Sequence, residues 1–239
     1  MGRPKHPLIS KRKTLEVALR IIDEDGLEAL SIRELGKALN VRGISLYHHF
    51  KSKEQILVGA CELALAHVRT PPAGMAEWRD WLTHNTVEYW KALRAHPNLI
   101  PILMRRHPLR IGLAEHNATA GLLAVQGVPP TAIMPLLEAV EALPLGCAAY
   151  ESAVEADDHT DDWEGDYPYL FHVWRNRALT REQVFRSMIG AVIDAVLAEH
   201  AAVTGQGQSA PVAPPAPAKA APKAEPEKKR PKAGKTSAV

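Results

Sequence analysis

The sequence predicts an all-α fold, and three observations carry that reading. Apolar residues recur at spacings of three and four through most of the first 204 residues, as in "LEVALRII", where Leu15, Ala18, Leu19 and Ile22 share one face. Alternating segments bounded by hairpin turns, the mark of strands, are absent. From Gly205 the composition turns to Ala, Pro and Lys ("APVAPPAPAKAAPKAEPEKKRPKAGK"), with Val212 the one large aliphatic residue in that stretch. Such a segment buries too little surface to offset the entropy of ordering, so a disordered tail is expected over 205–239.

The elements follow in order. The first helix stops at Gly26. Ser31 opens the next with the pattern of a capping box: its hydroxyl accepts the Glu34 amide, and Glu34 reaches back to the Ser31 amide. Ile32, Leu35, Ala38 and Leu39 form a short apolar stripe, and Asn40 stands where a left-handed C-cap is wanted. Val41 pins the corner from inside. A helix of about two turns is expected next. Leu46 and Phe50 point inward on it, and Gly43, Ile44, Tyr47 and His48 share the opposite face. Another helix starts near Ser52, with Ile56, Ala60, Leu63 and His67 on one stripe, and "TPPAG" at 70–74 breaks it. "WRDWLTHNTVEYWKALRAH" runs to Pro97, and further helices are expected over 99–106, 109–125, 130–153 and 180–200. The tract "EADDHTDDWEGDYP" reads as a polar loop.

Charge is divided along the chain. Residues 1–53 hold 11 Lys/Arg against 6 Asp/Glu, residues 54–204 hold 11 against 19, and residues 205–239 hold 7 against 2. A basic head on an acidic body points to a polyanionic partner at the head. Cys61 and Cys147 are far apart in apolar contexts, which excludes a disulfide framework or a cysteine zinc site and fits a reducing cytoplasm. No signal peptide follows the basic N-terminus, and no apolar run approaches the ~20 residues of a membrane span. A soluble, cytoplasmic protein without a membrane partner is expected.

The stretch "SIRELGKALNVRGISLYHHF" therefore reads as a helix-turn-helix: a supporting helix, a tight corner, and a short helix with a polar outer face able to enter a major groove. Lys11, Arg12, Lys13, Arg33, Arg42, Lys51 and Lys53 flank it and suit phosphates. In detail, "LSIRELGKALNVRGISLYHHFKSKEQIL" resembles the DNA-binding domain of the TetR family, through Leu30-Ser31, Leu35, Leu39, Val41, Ser45-Leu46-Tyr47, His49-Phe50 and Lys53. The resemblance implies a three-helix DNA-binding domain over 1–52, a connecting helix over 53–68, and a larger helical ligand-binding and dimerisation domain over 69–204. It places Ile32 and Arg33 at the backbone edge of the site, has Arg42, Gly43, Ile44 and Ser45 open the recognition helix, sets Tyr47 and His48 toward the groove, and gives Lys53 a backbone contact. Gly43 and Ile44 offer no side-chain hydrogen bonds, so direct reading leans on Arg42, Tyr47 and His48, with Ile44 able to touch a thymine methyl. Tyr47 fits either a phosphate or a base, and His49 either packing or contact.

The same resemblance extends to "WRDWLTHNTVEYW", with Trp78, Leu82 and Asn85 in corresponding places, and implies a ligand-responsive dimeric repressor of a palindromic operator. From the residues themselves, Trp81, Asn85 and Tyr89 fall on neighbouring faces of one helix, and a polar Asn among aromatics suits a small-molecule pocket. An amphipathic helix with Asn85 exposed is the plainer alternative. Leu103, Met104, Leu122, Met134, Leu137, Tyr150 and Trp174 are further pocket candidates, each equally a core residue, and His67 a candidate link from pocket to head. The segments near 130–153 and 180–200 carry apolar faces too broad for single-sided helices, and so suit a homodimer interface. Two rival readings exist: non-specific nucleic-acid binding by the basic tail, and a metal site or enzyme built on Asp157, Asp158, His159, Asp161 and Asp162. No nucleophile elbow, phosphate-binding Gly loop or HExxH pattern appears, so neither catalysis, a cofactor nor a metal is expected.

Overall fold

In the computed structural model, which describes residues 10–68, 77–105, 111–156 and 163–205, every regular element among those residues is helical. The expected breaker at 70–74, the acidic cluster 157–162 and the tail from 206 lie outside the described residues.

The head begins at Ser10, whose hydroxyl accepts the Lys13 amide at 3.1 Å and starts α1 (Lys11–Asp25). Gly26, at φ 85°, ends it. The buried face of α1 is Thr14, Val17, Ala18, Ile21 and Ile22, with Leu15 and Leu19 half-buried at its margin. Helix α2 (Ile32–Ala38) is capped by Ser31, which accepts the Glu34 amide at 3.1 Å. The capping box is only half made, because the Glu34 carboxylate turns outward to Lys37 at 2.9 Å and Arg33 at 3.3 Å. Two nearby cations outbid one backbone amide. Losing the remaining cap should still cost about 1 kcal/mol, so Ser31→Ala is expected to lower the urea midpoint of the head's unfolding.

The corner is a Schellman motif. The Val41 amide donates to Gly36 O at 2.9 Å, the Asn40 amide to Lys37 O at 3.0 Å, and Asn40 has φ 53°. Regular helix α3 then spans only Gly43–Leu46, shorter than the two turns expected. The chain continues through tighter bonds, from the Tyr47 amide to Ile44 O and from the His49 amide to Leu46 O, before α4 (Lys53–Leu65) starts on its Ser52 cap. Leu35, Leu46, Phe50 and Ile56 are buried together in the head. On α4 the buried stripe runs through Ile56, Ala60 and Ala64 to Val68, so Leu63 is only half-buried and His67 is exposed.

The body holds α5 (Trp78–Ala95), α6 (Ile100–Arg105), α7 (Leu113–Val125), α8 (Pro130–Ala156), α9 (Trp163–Asp166), α10 (Pro168–Arg175) and α11 (Arg181–Gly205). Helix α5 packs on α8 and α11, and α7 packs on α8. Trp81, Leu82, Val87, Trp90 and Leu93 bury one side of α5, each worth about 1.5–3 kcal/mol or more for a ring of this size. Two features depart from the sequence expectation. Short helix α9 lies within the tract read as a loop, and α10 follows it where no element was expected, with Phe171 stacked on Trp174 at 6.2 Å along it. Also, Pro130–Val154 and Arg181–Gly205 are, by length and composition alone, apolar enough to cross a membrane, which corrects the expectation of no such run.

Candidate DNA interface and interior cavity

Leu46 is fully buried and fastens α3 to the head. Helix α3 can sit so close to α2 because both meet at glycine: a Cβ on Gly36 would lie 3.0 Å from Val41 O and 3.3 Å from Gly43 N. A Cβ on Gly43 would lie 3.0 Å from Ile32 Cγ2. Gly43 therefore faces Ile32 instead of the outer face expected for it. What does face outward is Ile44, 70% exposed, Tyr47, 55% exposed, and the exposed Arg42 and His48. Ser45 and His49 are half-buried.

Arg42, Lys51 and Lys53 are exposed and make no ion pair among the described residues. Arg12 and Lys13 are paired with Glu16, and Arg33 and Lys37 with Glu34, all in exposed positions where such pairs contribute little. The Lys37 ammonium, helped by Arg33, holds the Glu34 carboxyl below its usual range. These cations can exchange a carboxylate for a phosphate at small cost. Ile32 is half-buried against Gly43, which positions the corner, while Arg33 stands out from α2.

In the body, a cavity of about 30 Å³ lies between α5, α7 and α8, below the end of α4. Helix α5 supplies Leu82, Asn85, Thr86 and Tyr89; α7 supplies Glu115, His116 and Thr119; α8 supplies Leu137, Val140 and Glu141; Val68 closes one side. Glu141 is 7% exposed, and its carboxylate lies 3.3 Å from His116 Nε2. The Thr86 hydroxyl donates to Leu82 O at 2.6 Å. Pro144 removes the helical donor that Val140 O would otherwise receive. The space admits water-sized molecules, far short of the roughly 300–1,000 Å³ of a typical ligand pocket.

Of the ten pocket candidates read from sequence, the structure brings Asn85, Tyr89 and Leu137 to this cavity. Trp81 and Leu103 are buried elsewhere in the core and Leu122 is half-buried against it. Met104, Met134 and Tyr150 are exposed, and Trp174 is half-buried on α10 under the Arg177 guanidinium. Sequence reasoning passed over Glu115, His116, Thr119 and Glu141. Their signal was present: Glu115, His116 and Thr119, one and four apart in the apolar helix "LAEHNATAGLLAV", and Glu141 in the apolar run of α8, need a reason to face inward. Val68, not His67, carries the end of α4 to the cavity, since His67 points to solvent.

The family described as "Bacterial regulatory proteins, tetR family" matches residues 15–60, which hold most of α1, the corner and most of α4. Among curated relatives, an HTH-type transcriptional regulator of Saccharopolyspora erythraea is 28% identical over 69% of this chain and 74% of its own. The tetracycline repressor protein class E of Escherichia coli is 23% identical over 74% of this chain and 84% of its own. Among solved structures, apo ActR of Streptomyces coelicolor shares the fold with a TM-score of 0.66 at 22% identity, covering 83% of this chain and 99% of that one. A TetR variant of Acinetobacter baumannii in complex with minocycline aligns with a TM-score of 0.59 at 22% identity, over 82% of this chain and 98% of that one. The relatives are regulators and not enzymes. With the glycine-packed corner, the basic head and the helical body all in one chain, residues 15–60 match the TetR family and the chain is similar over most of its length to TetR-type transcriptional regulators.

Proposed function

We propose that the chain is a dimeric, ligand-responsive repressor that reads a palindromic operator in cytoplasmic DNA. One observation carries the reading: Ile44 and Tyr47 stand in water on a helix that Leu46 anchors, in the same segment as Arg42, Lys51 and Lys53, which make no ion pair among the described residues. A major groove, with phosphates at its rim and both hydrogen-bonding base edges and thymine methyls within, suits these side chains and the cations around them. Ile44 meets a thymine methyl, and Arg42, Tyr47 and His48 supply the hydrogen bonds. Ser45, Ile32 and Gly43 set the approach, and Arg33 and Lys53 hold phosphates.

Dimerisation is supported by two exposed apolar stripes. Leu143, Cys147, Tyr150 and Val154 on α8, and Val184, Met188, Ala191 and Ala195 on α11, each follow a 4-3-4 spacing; all are exposed except Leu143 and Cys147, which are partly buried against the core. That spacing is the seam of helices packing side by side, so four helices, two per subunit, close it. A two-fold dimer presents two copies of α3 to half-sites one turn of DNA or a multiple apart.

The small effector, at least partly apolar, enters at the cavity lined by Asn85, Tyr89 and Leu137. Since about 30 Å³ cannot hold it, its binding must part α5, α7 and α8, and the closed state described above is the effector-free one. Selecting the opened state with a hundredfold loss of operator affinity requires about 2.7 kcal/mol of coupling.

The test is residue-specific. Duplexes selected by the protein from a random pool should converge on a two-fold palindrome. Arg42→Ala and Tyr47→Ala should then weaken that duplex by about 10–100-fold while changing random DNA far less. Equal losses on both DNAs would show that the two side chains touch only phosphate.

A further inference from the structure

The end of α1 is held by residues from the far end of α5. The last carbonyls of a helix lack donors of their own. Here the Asn98 side-chain amide donates to Ile22 O at 2.8 Å and to Asp23 O at 3.4 Å, beside the Gly26 amide that also reaches Ile22 O. His96 Nδ1 donates to the Asp23 carboxylate at 2.9 Å. These partners are 73 to 76 residues apart in sequence and half-buried.

The corner that carries them is stiff. His96 ends α5, with its amide shared between Ala92 O and Leu93 O. Pro97 fixes the next backbone angle, the Leu99 amide returns to His96 O at 3.0 Å, and Leu99 and Ile100 are buried. Two turns earlier on α5, about 10 Å away, Tyr89 and the rest of the cavity-lining face begin. On the other side of the junction, α1 packs against both α2 and α4. Among the described residues the head meets the body chiefly here and where α4 touches α5.

We infer that Asp23, His96 and Asn98 form a latch through which the C-terminal end of α5 fixes the orientation of the DNA-binding head. The inference rests on the DNA-binding role proposed above, and the three are positioning residues that touch neither DNA nor effector. A shift of α5 that parts the cavity moves the corner, and the corner carries the end of α1 with it. Because helix and corner are both rigid, the head tilts as a body instead of bending.

The experiment uses the full chain with Asn98→Ala, Asp23→Ala and Asp23→Asn. The two alanine variants should keep wild-type helicity and random-DNA affinity but lose about tenfold on the selected palindrome, with an unchanged salt slope because no phosphate contact is lost. Asp23→Asn should recover most of that loss, since its side-chain oxygen still accepts from His96. A purely structural role would lower the melting temperature without changing the preference of the folded protein between the two DNAs. Selected-palindrome affinity within twofold of wild type in both alanine variants would overturn the latch. A DNA-independent readout separates this failure from failure of the repressor reading. Spin labels on Glu28→Cys and Asn117→Cys, with Cys147→Ser, should give a head-to-body distance distribution that broadens in Asn98→Ala. If wild type shows no DNA preference, the repressor reading fails, and an unchanged distribution in the variant would sink the latch as well.

Discussion

Gly36→Val is expected to weaken specific DNA binding by about 5–150-fold while leaving the body folded. The position looks tolerant in sequence, since a helical glycine is usually improved by a side chain. The structure reverses that expectation, because the first added carbon meets backbone: Val41 O at 3.0 Å and Gly43 N at 3.3 Å. Valine's two further methyls have nowhere to go unless the corner opens. The Val41 amide bond to Gly36 O then breaks, and α3 leaves the position that Leu46 fixes. Overpacking of this kind costs about 1–3 kcal/mol, which corresponds to roughly 5–150-fold in affinity if it falls on the bound geometry. Fluorescence anisotropy on the selected duplex, with helicity followed by circular dichroism, measures it. Binding within threefold of wild type would mean that the glycine contact does not set the recognition helix.

The largest effect on stability is expected from Trp90→Ala. Trp90 is 1% exposed and stacks on Phe185 with ring centroids 4.8 Å apart and planes 14° from parallel, which joins α5 to α11. The Arg94 guanidinium covers the ring at 4.9 Å and itself bonds Glu151 of α8 at 2.8 Å, so one indole organises three helices. Truncating a buried Trp costs about 3–5 kcal/mol. For a chain of this size that lowers the melting temperature by roughly 6–20 °C. Differential scanning calorimetry reads it directly. Phe185→Leu keeps most of the volume and loses the stack, so it should cost about 1–1.5 kcal/mol, near the value of an aromatic pair. A drop as large as that of Trp90→Ala would place the energy in cavity formation instead.

The parts of the molecule legible in sequence are those governed by local chemistry. Ser31 and Asn40 announce a helix start and a left-handed stop within ten residues, and the structure uses both. Local patterns fail where a neighbour decides. The Glu34 half of the capping box is lost to Lys37 and Arg33, two residues the pattern does not weigh. Gly43 shares a helical face with Ile44 by spacing alone, yet the close approach of Ile32 turns it inward. The cavity is the extreme case. It is assembled from α5, α7 and α8, and no single helix shows that Glu115, His116 and Glu141 converge with Asn85 and Tyr89. Met104 and Tyr150 looked like core for the same reason: hydrophobicity states that a residue seeks cover, not which surface supplies it. On α8 and α11, the proposed cover is a second copy of the chain.

The claim that this head reads sequence as a two-fold dimer is tested most directly by one titration. The palindrome enriched from the random pool is compared with the same duplex after one half-site is scrambled, by anisotropy across a salt series. The intact palindrome should bind at least about a hundredfold more tightly at physiological salt, because on the scrambled duplex one recognition helix of the pair loses its base contacts. Scrambling should leave the salt slope nearly unchanged, because both heads still lie along phosphates. Equal affinity for the two duplexes at every salt concentration would contradict the claim.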